Sequence, residues 1–321
     1  MVVSGRTLLR PSKSTAFAPA VITNFFKIEY DDAGRPVGAT GGGYILSKGT
    51  TTEVLPIKVD DGRLTTTVNG DRLFDARTTR RAVGLLLSGV CSNQSLKLDQ
   101  KVDTPIGAGF GTSGASATSA VYAAASVLGI KKPKRSLALY AHRAEILEQT
   151  GLGTVSVIYD HVGAGAIAKA GEPGAAEFVR IRIPGDVRIV TAYLAPFDKK
   201  NLFSSPSISE RVNELGAQSL SVFLSDPSLD SLGTEGESFS RRLGLESPEV
   251  KKLAAAAKIA GALYASQNMI GYSVHSVVPE DNVASVVSAF RSKSREIGID
   301  TFDVGKRRAG IIVSRRKRDP S

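Results

Sequence analysis

The chain is poor in the residues that metal knuckles, disulfides and aromatic stacking surfaces need: one cysteine, Cys91, no tryptophan and three histidines in 321 residues. A single thiol closes no internal disulfide and supplies no metal knuckle, so nothing points to an oxidising compartment, and the expected location is the cytoplasm. No apolar run approaches the length that crosses a bilayer, and MVVSGRTLLRPSK lacks the uninterrupted apolar segment of a signal peptide. Neither a membrane nor secretion is therefore expected. Internal repeats and low-complexity blocks are missing too. With 42% hydrophobic and 22% charged residues the chain reads as an ordinary folded protein, not a disordered or fibrous one. Its length exceeds the usual single-domain size and predicts one large or two intimately joined domains mixing helices and strands.

Acidic residues are in deficit, 31 against 41 lysines and arginines, for a net charge of +10. The densest basic stretch is Lys306 to Arg318, KRRAGIIVSRRKR, which invites a nucleic-acid reading. That stretch holds no aromatic residue for base stacking, and the other basic residues are scattered, so a terminal strand with solvated charged flanks is the expectation. A positive field equally suits a phosphorylated metabolite and ATP, because it concentrates small anions.

Residues Thr15 to Leu73 read as strands and turns: AFAPAVITNFF, a DDAGRP turn, GGGYILS, TTTEVLPIKV and RLTTTVNG. Helices are expected from Thr78 to Ser88, from Ala115 to Leu128, and from Ser136 to Gln149, the last capped by Ser136 and stopped by Gly151. FVRIRIPGDVRIVTAYL predicts a strand pair opening a second half after residue 172. Ser209 to Leu224, Ser247 to Ala265 and Asp281 to Ile297 predict further helices, and TFDVGKRRAGIIVS closing strands.

The segment that carries chemistry is Pro105, Ile106, Gly107, Ala108, Gly109, Phe110, Gly111, Thr112, Ser113, Gly114, Ala115, Ser116. Glycines let backbone approach an anion, their N–H groups point at it, and the positive end of the following helix faces it. Ser113 and Ser116 add hydroxyls. Gly109 to Gly114 also fits the GxGxxG dinucleotide pattern, but LKLDQKVDTP before it is too polar for a buried parallel strand, and no acid lies about twenty residues on. The Gly-Lys-Ser/Thr of a P-loop is missing as well.

PIGAGFGTSGASAT resembles the phosphate loop of the GHMP kinases. AFAPAVITNFF, GGGYILSKGTTTEV, AHRAEILEQTGLGTV and NMIGYSVHSVV resemble, in order, blocks of the archaeal pantoate kinases within that superfamily. The resemblance implies an α+β fold, with an N-terminal ATP-binding half (residues 1–172) like the second domain of ribosomal protein S5 and a ferredoxin-like C-terminal half (residues 173–321). It implies ATP and Mg2+, with Ser113 helping to hold metal and phosphate, Glu145 as the acidic magnesium ligand, and His142 near the acceptor. His142 and Glu145, three apart on one predicted helix, share a face, and magnesium wants a carboxylate plus phosphate oxygens, so the residues by themselves agree.

Departures from the family cluster on the acceptor side, where Val21, Thr23 and Thr40 are the remaining candidates. Pro19-Ala-Val21-Ile-Thr23 stands where pantoate kinases carry a histidine, Ala39-Thr40 replaces Ser-Arg, Thr154 replaces a base-like aspartate, and an expected arginine is replaced near Ala166. Thr154 could orient an acceptor hydroxyl, and Asp160 could stand in as an acid. The expected acceptor is a small anionic alcohol: mevalonate 3-phosphate, phosphorylated at its 5-hydroxyl in an archaeal modified mevalonate pathway, is the first reading, and pantoate the alternative. A non-catalytic nucleotide-binding or nucleic-acid-binding protein is the reading of another class, and a homodimer is left open.

Overall fold

The computed structural model describes residues 12–58, 61–160, 163–195, 206–268, 271–293 and 296–312. Two long strands, β1 (Ser14–Tyr30) and β2 (Pro36–Pro56), form an antiparallel hairpin that is the spine of the first sheet. β1 is apolar on both sides because both sides are covered. Ala16, Ala18 and Val21 enter one core and Ala20, Ile22 and Phe25 another, with a register shift between Pro19 and Val21.

β3 (Leu64–Val68) and β4 (Leu96–Val102) continue the sheet beyond β2, β5 (Ala164–Lys169) and β6 (Glu177–Arg180) attach to its other half, and β11 (Gly310–Ile311) edges β1. One face is covered by α1 (Arg77–Ser88), α2 (Thr112–Val127), α3 (Lys134–Leu147) and α4 (Thr154–Asp160). The other face meets α5 (Pro206–Ser225), α6 (Leu229–Leu243) and a second sheet. That sheet contains β7 (Val187–Ala195), β8 (Tyr264–Gln267), β9 (Tyr272–Pro279) and β10 (Gly298–Phe302) in the order β10-β7-β9-β8, every neighbouring pair antiparallel. With α7 (Pro248–Ile259) and α8 (Val283–Arg291) on its far side, this is the strand order of a ferredoxin-like βαββαβ unit. The α+β expectation holds.

Several local expectations change. LKLDQKV, judged too polar for the buried parallel strand of a dinucleotide fold, is nonetheless a strand, β4, and it lies parallel to β3. Only alternate residues Leu96, Leu98, Gln100 and Val102 face inward, so half of a genuine strand reads as polar. Ser136 does not cap α3, which begins at Lys134 with Pro133 at the cap position. The helix expected through Ala265 stops at Ile259, because Gly261 turns the chain (φ 98°) and Tyr264 and Ala265 enter β8. The helix expected to Ile297 ends at Arg291. α6 was not anticipated, although Ser228 and Ser231 form a reciprocal capping box at its start. Residue 172 lies in the connection between β5 and β6, which pair in the first sheet, so that sheet runs on to Arg180 and takes β11 from the far end of the chain.

Within the basic C-terminal stretch, Arg307 stacks its guanidinium 3.7 Å from the Phe17 ring and Ala309 is buried, so its first part is a structural edge. Residues 313–321, which hold the remaining cations of that stretch, lie outside the described residues.

Where α5 crosses β1, backbone meets backbone. A Cβ on Gly216 would stand 1.9 Å from the Phe26 carbonyl oxygen, a contact no side chain rearrangement relieves. Gly216→Ala is expected to cost at least about 2 kcal/mol of stability, the scale of overpacking in a rigid core, read as a lower urea midpoint with unchanged m-value.

Candidate active site

The site begins beneath the glycine loop, in a buried polar network that fixes α2 to the sheet. Gln100 on β4 donates to Thr52 Oγ1 (2.9 Å) and to the Ser116 carbonyl (3.1 Å), and accepts from Thr79 (3.1 Å). Thr52 pairs with Ser119 at 2.6 Å and Thr50 with Ser116 at 3.1 Å. A satisfied network of this kind specifies one position of the helix along the strands, which packing of alanines alone would leave free to slide. The hydroxyl of Ser116, expected to face a phosphate, is turned into this network instead.

Above it the loop alternates buried anchors with glycines. Ala108 and Phe110 are 1% exposed, whereas Gly107, Gly109 and Gly111 take positive φ of 77°, 85° and 60°, a region other residues enter at a cost. The anchors' carbonyls are held on opposite sides: Phe110 O accepts from Val21 N (3.0 Å), and Ala108 O accepts from Asn268 Nδ2 (3.3 Å) and the Ser273 hydroxyl. In a trans peptide the next N–H points the other way, so these anchors turn the N–H groups of Gly109 and Gly111 away from the acceptors around them. No backbone N–H from Gly107 through Gly114 donates to an acceptor among the described residues. α2 starts from Gly111 with no side-chain cap and no acid in its first turn. A row of unpaired donors at the positive end of a helix is a cradle for an anion.

Glu145 and Thr154 close the cradle. A Cβ on Gly114 would stand 2.8 Å from Glu145 Oε1 and 2.9 Å from the Thr154 methyl. One on Gly111 would stand 2.9 Å from that methyl, and one on Gly151 only 2.4 Å from Glu145 Oε1. The helix dipole of α2 favours the carboxylate there. Val21 lies against Gly111, and Gly153 against Ala39 and Ile167. The structure therefore brings together the loop, Thr112, Ser113, Glu145, Thr154 and Val21, with Pro105 at the loop's entry. Glu145 is fully buried and His142 is 2% exposed, so neither lies on a solvated helix face.

Other expected residues are not gathered there by any described contact. The Thr40 hydroxyl donates to Glu29 (3.1 Å), the same carboxylate that Lys27 pairs with at 3.0 Å. Thr23 is half-buried opposite Gly43. His142 shares its field with Glu172 and Arg143, and its Nδ1 has no hydrogen-bond partner among the described residues. Asp160, at the far end of α4, accepts from Gly174 N (3.2 Å).

Next to Pro105, Ile106 and Ala108 opens a cavity of about 500 Å³, walled also by Asn69, Asp103, Thr104, Tyr193 and Asp300. The Thr104 hydroxyl is buried without a hydrogen-bond partner among the described residues. Sequence reasoning named none of these lining residues outside the loop, nor Gln100, Asn268, Ser273 and His275, although the last three lie in the NMIGYSVHSVV block already singled out.

Residues 76–159 match the profile of the GHMP kinases N terminal domain. A pantoate kinase of Methanocaldococcus jannaschii is 23% identical over 277 residues, covering 86% of this chain and 97% of that relative. Over residues 76–159 the chain is similar to the GHMP kinases, as its glycine loop led us to expect. It is a phosphotransferase acting on a hydroxyl group, as the sequence led us to expect. The fold agrees throughout. A solved phosphotransferase related to the CoA biosynthesis pathway superposes with a TM-score of 0.81 at 21% identity, covering 93% of this chain and 98% of that one. A mevalonate kinase superposes with a TM-score of 0.66 at 13% identity, covering 90% and 98%. The match to the GHMP kinase profile spans α1 to α4, the elements that carry the glycine loop, Glu145 and Thr154.

Two measurements follow from this geometry. Gly151→Ala should displace the buried Glu145 carboxylate and cost about 1–3 kcal/mol of stability, the scale of overpacking, read as a lower urea midpoint. Burial pushes the His275 imidazole down to about 3 and lowers His142 as well. Both imidazoles are disfavoured as cations in the folded chain, while the unfolded chain takes up protons below about pH 6.5. Their contribution to stability is thus complete above pH 6.5 and is lost as pH falls toward 3, by up to about 1.4 kcal/mol per unit for His275. His275→Gln should flatten urea-derived stability against pH between 6 and 4 relative to the wild type.

Proposed function

We propose that this chain uses MgATP to phosphorylate the hydroxyl of a small hydroxy acid of the pantoate type. The observation that carries the reading is the convergence of the unpaired N–H groups of Gly107 through Gly114 with Glu145 and Thr154. The residues fit a magnesium triphosphate: a loop whose N–H groups are unpaired among the described residues, a half-buried Ser113, and a carboxylate packed against the helix start at Gly114. When bound, MgATP supplies the phosphoryl group and a cation that offsets its charge.

The chain's own residues divide the work. The loop N–H groups would hold phosphate oxygens, Ser113 and Glu145 would hold the magnesium, and the 500 Å³ cavity with its Thr104 hydroxyl would take the base. The Thr154 hydroxyl would orient the acceptor. A threonine is no general base, but phosphoryl transfer rests chiefly on positioning and charge neutralisation, so its presence does not argue against turnover.

For the acceptor, the sequence reading put mevalonate 3-phosphate first. Two observations favour pantoate. The pantoate kinase relative aligns over nearly its whole length. On the acceptor side Val21, Ala39, Ala166 and Ile167 are apolar, and Lys27, opposite Thr40, is already ion-paired with Glu29. Among the described residues this wall offers no spare cation for a second phosphate, whereas one carboxylate needs less neutralisation.

The test is a phosphorylation assay with MgATP against pantoate, mevalonate 3-phosphate, mevalonate and homoserine. Turnover of pantoate is expected. Turnover of mevalonate 3-phosphate without pantoate would restore the first reading, and silence on every alcohol despite MgATP binding would make the chain a nucleotide-binding protein. On the active acceptor, Glu145→Gln and Ser113→Ala should each lower kcat by about a hundredfold or more, and Thr154→Val by about tenfold.

A further inference from the structure

The glycine loop belongs to the first sheet, yet one of its fixed carbonyls is held from the second. Ala108 O can only accept, so the Asn268 side-chain atom 3.3 Å from it is the amide nitrogen. The other amide atom is then Oδ1, which also only accepts, and it stands 2.8 Å from His275 Nδ1. The ring must carry its proton on Nδ1. In a neutral imidazole Nε2 is then an acceptor, and Ser266 Oγ, 3.3 Å away, is its donor. A backbone carbonyl thus determines the direction of every bond in a chain running Ser266 to His275 to Asn268 to Ala108.

The chain is sealed from solvent. Ser266, Asn268, Ser273 and His275 are each no more than 3% exposed, and the Tyr44 ring meets the imidazole edge-on with centroids 5.8 Å apart. Asn268 N donates to Ser273 O (2.9 Å), which ties the residue carrying the amide to β9, and a Cβ on Gly271 would strike the Ala108 carbonyl carbon at 2.4 Å. The second sheet therefore touches the loop at Ala108, between Gly107 and Gly109, where a peptide in this region has no helix or strand to hold it.

We infer that His275 is a positioning residue for phosphoryl transfer: as the Nδ1–H tautomer it locks the Asn268 amide, which holds the Ala108 carbonyl back and turns the Gly109 N–H away from it toward the phosphate site. Without the imidazole donor the Asn268 Oδ1 loses its partner, the amide is held only at the Ala108 carbonyl, and the loop peptide is less firmly oriented. The role of the loop as a phosphate cradle comes from the proposed function, and the inference rests on that reading for its catalytic consequence only.

Nitrogen-15 and carbon-13 labelling of histidine in the full chain, without nucleotide, reads the relay directly. His275 is expected as the Nδ1–H tautomer at pH 7, and the amide resonances of Gly107 and Gly109 should shift in both Asn268→Asp and Ser266→Ala. The Nε2–H tautomer, or loop resonances that stay in place in both variants, would overturn the relay whether or not MgATP binds. In the assay, Asn268→Asp keeps the shape but replaces the donor by an acceptor, and should raise the KM for MgATP about tenfold or more while kcat changes less than about threefold. His275→Phe should do the same, and Asn268→Asp decides the matter if the phenylalanine variant does not fold. Equal loss of kcat and kcat/KM, or unchanged kinetics in Asn268→Asp, would reject the positioning role. Failure of wild-type protein to bind MgATP by calorimetry would sink the proposed function and leave the tautomer and loop-resonance measurements to judge the relay.

Discussion

The constraint on which the rest depends is that backbone donors must be kept unpaired. From Gly107 through Gly114 the chain holds its N–H groups away from every described acceptor, at a depth where neighbouring Ala108 and Phe110 are 1% exposed. Unsatisfied donors at such depth are costly, and a loop left to itself would fold over to pair them. It is prevented by its carbonyls. Phe110 O is tied to β1 and Ala108 O to the turn between β8 and β9, so the peptide planes cannot rotate without breaking bonds in two different sheets. The cradle is a product of the junction between sheets, not of the glycines alone.

The surroundings follow from that arrangement. α2 must start in one place, and the Gln100, Thr52, Ser119, Thr50 and Ser116 network gives it a register that a helix of alanines and serines lacks. Glu145 can reach the helix start only because Gly114 and Gly151 present no side chain. The hairpin of β1 and β2 extends past the loop and carries Val21 and Ala39 to the same place, and burial on both of its faces keeps it straight enough to do so. The geometry of this site is set by backbone approach distances more than by reactive side chains.

Much of this was legible. The glycine cluster marked a loop ahead of a small-residue helix, AHRAEILEQTGLGTV placed His142 and Glu145 on one helix and Thr154 just beyond it, and the β-rich opening and later helices were visible as period and punctuation. The failures have physical causes. β4 was missed because a half-buried strand shows polar residues at every second position, and Gln100 is buried only because it has partners on three elements. α6 was missed because Gly233 and Gly236 leave gaps in its apolar stripe where Tyr264 and Asn24 press against the helix. Ser116 was assigned to phosphate because a hydroxyl one turn into a helix has no sequence mark for which way it points.

The sequence by itself determined the local geometry of the loop: positive φ at Gly107, Gly109 and Gly111 is an intrinsic freedom of glycine, and the helix start that follows leaves its first N–H groups without intrahelical partners. It also determined the α+β class, because apolar periodicity is a short-range signal. Only the tertiary structure decided which groups share that site. Val21, Asn268, Ser273 and His275 reach the loop across separations of roughly ninety to over a hundred and sixty residues, through hydrogen bonds whose partners no local pattern names. The tautomer of His275, the inward turn of Ser116 and the neutralisation of Lys27 by Glu29 are likewise set by what packs against them. Propensity acts over a few residues, whereas desolvation and hydrogen-bond direction act between whatever the fold brings within 3 Å, and those contacts exist only once both sheets have closed on the loop.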